Sequence, residues 1–101
     1  MKTIVLADDH AILRQALRPM LEQEFGLQVI AEATTGREAV NVVRDQRPDI
    51  VIMDIAMSDM NGIEATHRIS QQFPAIKVLV LTTFDDDEWL FDALRAGAAG
   101  Y

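Results

Sequence analysis

The sequence predicts an α/β fold: a mainly parallel sheet with helices on both faces. Two observations support this prediction. Short apolar runs rich in β-branched residues recur along the chain, and the segments between them carry apolar residues at helical spacing. Strands that alternate with helices in this way form right-handed βαβ units, in which each helix crosses one face of the sheet.

The predicted strands are five short runs, of which the last is the weakest. They cover residues 3–7, 28–33, 49–53, 77–82 and 98–101. Residues 50–53 are four apolar residues in succession, which is typical of a strand buried on both faces of a parallel sheet.

Each segment between the strands predicts a helix with one apolar face. The predicted faces are Leu13, Ala16, Leu17, Met20 and Leu21 in the first helix, Ala39, Val40 and Val43 in the second, Ile63, Thr66, Ile69 and Phe73 in the third, and Leu90, Ala93, Leu94 and Gly97 in the fourth. Gly36 and Gly62 stand where loops enter the second and third helices.

Composition limits the classes of function. The 101 residues are enough for one domain, and a net charge of −7 predicts repulsion from nucleic-acid phosphates and anionic lipids. The chain has no cysteine, which excludes disulfides, thiolate metal sites and thiol catalysis. It also has no signal-peptide core and no apolar run near the ~20 residues needed to cross a bilayer. We therefore expect a cytoplasmic location and no membrane partner.

Polar side chains follow three of the predicted strands. Asp8 and Asp9 follow the first strand, Asp54 follows the third, and Thr82 and Thr83 end the fourth. Ligands of open α/β sheets bind beyond the carboxyl ends of the strands, so these side chains share one pocket if the three strands are neighbours. Three close carboxylates repel one another, and a hard divalent cation such as Mg²⁺ relieves that repulsion. The pattern favours phosphoryl chemistry.

A simpler interpretation exists for each acid taken alone. An aspartate after a strand is more often a turn former or a helix N-cap. Asp8 or Asp9 would then cap the first helix, and Asp59 or Asn61 would cap the third. Three acids at two strand ends are harder to explain in this way.

Other candidate sites are weaker. His10 and His67 have no metal-ligand spacing, so we interpret them as surface residues. The sequence has no Gly-rich phosphate loop, G-x-S-x-G or H-E-x-x-H motif, which argues against P-loop, serine hydrolase and zincin chemistry.

Three stretches of the sequence carry a family resemblance: LADDHAILRQAL, DIVIMDIAMSDMNGIEA and VLVLTTFDDDEWLFDALRAGAAGY. The sequence resembles the receiver domain of a two-component response regulator, in the subgroup with a LuxR-type helix-turn-helix. The likeness spans the whole chain. The resemblance implies a flavodoxin-like, doubly wound sheet of five parallel strands in the order 2-1-3-4-5, here lacking the last helix. It also implies that residues 1–101 are a C-terminally incomplete receiver domain, with a DNA-binding output domain beyond residue 101.

The resemblance also implies a role for each site residue. Asp54 would be the phosphoacceptor, and Mg²⁺ would be held by Asp9, Asp54 and the backbone carbonyl of Ala56, with Asp8 assisting directly or through water. Thr82 would bond a phosphoryl oxygen, and Tyr101 would turn inward after it. The implied partners are a sensor histidine kinase, a second copy of the protein on phosphorylation, and DNA through the output domain alone.

The sequence departs from the family pattern at a few points. Ser58 stands where the family usually has proline, and the family's conserved lysine would lie beyond Tyr101. Two other functions stay open. A haloacid-dehalogenase-like phosphatase is disfavoured because Ala56 stands where that family needs a second aspartate. A phosphorylation-independent interaction domain could use Trp89 and Phe91 of the fourth helix.

Overall fold

The computed structural model describes residues 2–55 and 57–81, and in these ranges four strands alternate with three helices. The elements are β1 (Thr3–Ala7), α1 (Ala11–Glu24), β2 (Gln28–Ala33), α2 (Gly36–Gln46), β3 (Ile50–Asp54), α3 (Gly62–Gln72) and β4 (Lys77–Leu81). The four strand predictions that fall in this part of the chain are confirmed to within one residue. The predicted fourth helix and the strand at residues 98–101 lie outside the described residues.

The four strands form one parallel sheet in the order β2-β1-β3-β4. This is the predicted order for these strands. The chain passes from β1 outward to β2 and then returns to the other side of β1 to form β3, so the strand order reverses between β1 and β3. Parallel α/β sheets bind their ligands beyond the carboxyl ends of the strands at such a point.

The sheet is packed on both faces, because alternate residues of each strand point to opposite sides. One core cluster packs mainly with α2 and α3, and the other packs with α1. The first contains Val5, Ala7, Ala33, Ala39, Val43, Val51, Met53, Met57, Ala65, Ile69, Val78 and Val80. The second contains Ile4, Leu6, Leu17, Leu21, Leu27, Val29, Ile50, Ile52 and Leu79. Every residue of β3 is buried, as its apolar run predicts.

The predicted helix faces are confirmed in part. Leu17 and Leu21 of α1 and Ala39 and Val43 of α2 are buried. The prediction is wrong at Ala16, which is exposed in α1.

The predicted face of α3 is also wrong at one position. Ile63 is 60% exposed. The helix buries Ile69, as predicted, together with Gly62 and Ala65, which were not on the predicted face. The helix approaches the sheet through its small residues, and Ile63 lies about 100° further round the helix from Gly62.

The helix N-caps confirm the simpler interpretation of the polar residues at α3 but not at α1. Asn61 caps α3, since its Oδ1 accepts a hydrogen bond from the Glu64 N–H at 2.9 Å. At α1 the N-cap residue is His10, and its side chain makes no capping hydrogen bond. The expectation that Asp8 or Asp9 caps α1 is therefore wrong. Asp8 instead acts as a turn former, because its Oδ1 accepts a hydrogen bond from the His10 N–H.

Asp49 ties the amino ends of three strands together. Its Oδ2 accepts hydrogen bonds from the Thr3 N–H (2.8 Å) and the Thr3 hydroxyl (3.2 Å). Its backbone N–H donates to the Thr3 carbonyl (3.0 Å), and its carbonyl accepts from the Lys77 N–H (3.1 Å). The ends of β1, β3 and β4 opposite the acidic cluster are thus joined through one residue.

We expect Asp49→Asn to make the fold less stable at neutral pH and less sensitive to acid. The hydrogen bond from the Thr3 N–H lowers the pKa of Asp49 below its ordinary value. A lowered folded-state pKa contributes stability above the unfolded value of about 3.9, and this contribution is lost as pH falls through the folded pKa. Urea unfolding at pH 7 and through the range from about 5 to 3 measures both effects. Asp45→Asn, at an exposed acid of α2, is the control, and an unchanged acid sensitivity of Asp49→Asn would contradict the prediction.

None of the helices in the described ranges is long and apolar enough to span a membrane.

Candidate metal centre

Three acids and one histidine meet at the carboxyl ends of β1 and β3. Asp54 is the last residue of β3, and Asp8 directly follows β1. One ligand atom from each of Asp8, Asp9, His10 and Asp54 lies within 4.8 Å of the others. Asp8 and Asp54 are only 4% and 6% exposed, whereas Asp9 and His10 face solvent. The prediction that the acids of strands one and three come together is confirmed.

The backbone places Asp8 by hydrogen bonds on both sides of the residue. Its N–H donates to the Ala33 carbonyl of β2 at 2.9 Å, which continues the parallel ladder by one residue. Its carbonyl accepts a hydrogen bond from Nη1 of Arg14 at 2.5 Å. Its carboxylate Oδ1 accepts from the backbone N–H of His10 at 2.7 Å. Asp8 is therefore fixed in main chain and side chain before any ligand binds.

His10 belongs to this cluster, which the sequence analysis did not predict. Its Nδ1 lies 2.8 Å from Oδ1 of Asp8, 3.0 Å from Oδ1 of Asp9 and 3.8 Å from Oδ2 of Asp54. The hydrogen bond with Asp8 raises the pKa of His10, and the charges of Asp8 and Asp9 raise it further. The ring is exposed, as expected. Its place in the cluster could have been predicted from its position in the sequence, because it directly follows two strand-end acids. His67 is an exposed residue of α3 and is not part of this group.

The donor set fits a hard divalent cation. Three carboxylates converge on one small volume, and Mg²⁺ binds one or two carboxylates while it keeps several water ligands. In their charged form the acids repel one another, and a cation between them removes that repulsion. An imidazole nitrogen suits transition metals better than Mg²⁺, so the carboxylates of Asp8, Asp9 and Asp54 are the residues that could hold Mg²⁺.

Gly62 allows α3 to begin directly against the end of β3. A Cβ atom at this position would lie 2.0 Å from the carbonyl oxygen of Asp54. The Gly62 N–H donates to the Ile55 carbonyl at 2.9 Å, which closes the loop between β3 and α3. The backbone of Asp54 is thus in direct contact with the start of the next helix.

The same loop packs against the start of α2. A Cβ atom on Gly36 would lie 2.0 Å from the Met60 carbonyl oxygen. Asp59 and Met60 adopt positive φ angles of 57° and 121°. The exposed carboxylate of Asp59 forms an ion pair with Arg37 of α2 at 3.3 Å. Ser58, where the resembling family usually has proline, is exposed in this loop.

Comparison with known proteins decides the family. The family described as response regulator receiver domain matches residues 4–101. The chain belongs to this family. The sequence resemblance is therefore confirmed, and the receiver domain is a signalling domain.

Curated relatives of this receiver domain are regulatory proteins by name. It is 44% identical over 99 residues to the oxygen regulatory protein NreC of Staphylococcus epidermidis. This match covers 97% of this chain and 45% of the relative. It is 43% identical over 98 residues to the uncharacterized transcriptional regulatory protein YhcZ of Bacillus subtilis, covering 97% of this chain and 46% of the relative. The chain thus spans about half the length of the curated relatives it matches.

Solved structures agree with the fold. A two-component response regulator of the LuxR family from Aurantimonas sp. SI85-9A1 superposes with a TM-score of 0.80 at 39% identity, covering 100% of this receiver domain and 72% of that chain. The predicted flavodoxin-like fold and the LuxR-type likeness are confirmed. Of the predicted site residues, Asp8, Asp9 and Asp54 come together, while Ala56, Thr82 and Tyr101 lie outside the described residues.

Proposed function

We propose that this receiver domain is a phosphorylation-dependent switch in which Asp54 accepts a phosphoryl group from a sensor histidine kinase. The observation that supports this most directly is the position of Asp54. Its buried carboxylate ends the central strand β3 and lies within 4.8 Å of ligand atoms on Asp8 and Asp9. In this proposal Asp8, Asp9, Asp54 and the backbone carbonyl of Ala56 hold Mg²⁺.

The chemistry assigns one step to each residue. A carboxylate oxygen of Asp54 attacks the phosphorus of a phosphohistidine, a P–O bond forms, the P–N bond breaks, and the leaving imidazole takes up a proton. A bound Mg²⁺ supplies charge neutralisation for the phosphoryl oxygens. Asp8 and Asp9 provide the negative charge that retains the cation. Thr82 then donates a hydrogen bond to a phosphoryl oxygen, and Tyr101 follows it inward.

The phosphorylated domain controls an attached output domain. This part of the proposal rests on the length and names of the relatives, about twice as long as this chain and named as regulatory proteins. The negative charge of the receiver domain disfavours contact with DNA phosphates, so DNA is bound by an output domain beyond residue 101. Homodimerisation on phosphorylation and a cytoplasmic location belong to the same proposal. The domain assists its own phosphorylation and dephosphorylation and turns over no separate substrate.

Incubation with acetyl phosphate and Mg²⁺, followed by intact mass measurement, tests the proposal. We expect a gain of one phosphoryl group in the native protein. We expect no adduct in Asp54→Asn or after chelation of the metal, and an unchanged adduct in Asp45→Asn. An adduct that persists in Asp54→Asn, or none in the native protein, would reject the assignment. Steady hydrolysis of a phosphate monoester would favour the phosphatase alternative instead.

A further inference from the structure

One guanidinium group connects the acidic cluster to the edge strand β2. Arg14 lies one turn into α1, and its side chain is only 15% exposed. Its Nε donates to Oε1 of Glu32 on β2 at 2.7 Å, and its Nη1 donates to the backbone carbonyl of Asp8. A residue outside the cluster thus contacts the main chain of a residue inside it.

The end of β2 therefore holds Asp8 at both of its peptide groups. The Asp8 N–H is bonded directly to the carbonyl of Ala33, and the Asp8 carbonyl is bonded through Arg14 to the neighbouring residue Glu32. The Asp8 carbonyl is part of the peptide plane that joins Asp8 to Asp9. An anchor on this oxygen restricts the direction in which the chain leaves Asp8, and with it the position of the Asp9 carboxylate.

The chemistry of the contact requires arginine. A guanidinium is a planar fork that donates to two acceptors in fixed directions, whereas a lysine ammonium is a point charge. Glu32 pairs with both Arg14 and Arg18, and Glu22 lies 3.9 Å from Arg18. The two glutamates therefore balance the two arginines, and the group adds no net charge that would repel a cation.

Arg18 offers a matched comparison on the same helix. Its Nη1 lies 2.9 Å from the other carboxylate oxygen of Glu32, its side chain is 46% exposed, and its hydrogen bonds go to Glu32 and the Val29 carbonyl. Arg14 and Arg18 thus share Glu32 as a partner, but only Arg14 also bonds the backbone of Asp8.

We propose that Arg14, oriented by Glu32, is a positioning residue that sets the geometry of the Asp8–Asp9 pair for divalent cation binding. The inference rests on the proposed function, because it assigns Arg14 a part in the same Mg²⁺ site. Partners that orient metal ligands from outside the coordination sphere are typically worth about 10-fold or more in metal affinity when removed.

The experiment compares Arg14→Lys and Arg14→Gln with Arg18→Gln and the native protein. Two measurements address positioning without phosphorylation. Amide hydrogen exchange of Asp9 and His10 in metal-free protein reports the order of the loop, and calorimetric titration with MgCl₂ reports the dissociation constant. The third measurement is the rate of Asp54 phosphorylation by acetyl phosphate at saturating Mg²⁺.

Both Arg14 variants are expected to exchange the Asp9 and His10 amides faster and to raise the Mg²⁺ dissociation constant about 10-fold. At saturating Mg²⁺ the phosphorylation rate is expected to recover to within about threefold of the native rate, since the metal then imposes the geometry. Arg18→Gln is expected to match the native protein in the exchange rates and in the dissociation constant. Arg14→Lys keeps the positive charge but not the planar group that donates to two acceptors. A weak Mg²⁺ affinity of this variant would show that the two-acceptor contact, and not the charge alone, is required.

Arg14 variants with a dissociation constant within twofold of that of Arg18→Gln would overturn the inference. If Arg14→Gln does not fold, Glu32→Gln makes the same test, because it weakens the orientation of Arg14 and leaves that side chain in place. A native protein that binds no Mg²⁺ and forms no Asp54 adduct would reject the proposed function together with this inference. If the native protein binds Mg²⁺ and is phosphorylated, and the Arg14 variants have the native Mg²⁺ dissociation constant, only the inference about Arg14 is rejected.

Discussion

Gly62→Ala is expected to destabilise the fold by about 3 kcal/mol and to abolish phosphorylation of Asp54 in the protein that remains folded. The added Cβ would lie 2.0 Å from the carbonyl oxygen of Asp54, 2.7 Å from its carbonyl carbon and 2.9 Å from Cα of Ile55. All three are backbone atoms, which cannot swing aside as the end of a long side chain could. Either the end of β3 or the start of α3 has to move, and both contact Asp54, the proposed phosphoacceptor.

Gly26→Ala provides the control for this experiment. Gly26 has a φ of 65°, and a Cβ atom there would meet nothing within 4 Å. Its substitution therefore costs only the left-handed backbone conformation, about 1–2 kcal/mol, without a steric clash. Urea unfolding gives the free energies, and acetyl phosphate labelling gives the phosphorylation rates. A Gly62→Ala protein as stable as Gly26→Ala and phosphorylated at the native rate would contradict the predicted clash.

Asp9→Asn is expected to remove the stabilisation by Mg²⁺ while the metal-free protein stays as stable as the native protein or becomes more stable. Asp9 supplies one of three carboxylates in the cluster, so its neutralisation reduces repulsion when no metal is bound. Its side chain is 40% exposed, and its contact with His10 at 3.0 Å is a solvent-exposed pair of small worth. A ligand at 100 times its dissociation constant stabilises a protein by about 2.7 kcal/mol, and Asp9→Asn loses most of this stabilisation. With Mg²⁺ the native protein is therefore expected to be more stable than the variant.

Thermal unfolding with EDTA and with millimolar MgCl₂ measures both parts of this prediction. Asp59→Asn is the matched control. Asp59 is an exposed acid in the loop after β3 and is not among the clustered residues. Asparagine also tolerates its φ of 57°. A Mg²⁺-induced rise in the unfolding temperature of Asp9→Asn equal to the native rise would show that Asp9 is not a metal ligand.

The sequence predicted the features that depend on local pattern. Strand bounds followed from apolar runs, and the meeting of Asp8, Asp9 and Asp54 followed from the rule that ligands bind beyond the ends of parallel strands. The exposure of Ile63 was missed because Gly62 brings the backbone of α3 close to β3, a tertiary contact that periodicity does not encode.

Polar contacts between residues that are far apart in the sequence were also not predicted. Arg14 and Glu32 are 18 positions apart, on a helix and a strand, and each is an ordinary charged residue in its own segment. His10 is exposed, as predicted, but its place in the acidic cluster was not predicted. Its partners are two adjacent acids and one strand-end acid 44 positions further along the chain, a spacing that matches no metal motif. Side-chain direction at the strand ends decides such contacts, and a single sequence does not carry that information.

The hydrogen bonds of Asp49 lie at the opposite end of the sheet from the acids. They join β1, β3 and β4 at their amino ends, whereas the acids lie at the carboxyl ends. A five-residue strand is about 17 Å long, so about one strand length separates Asp49 from the acidic cluster. Fold stability and metal binding therefore depend on separate polar residues, and a substitution at Asp49 changes the first without removing a candidate ligand of the second.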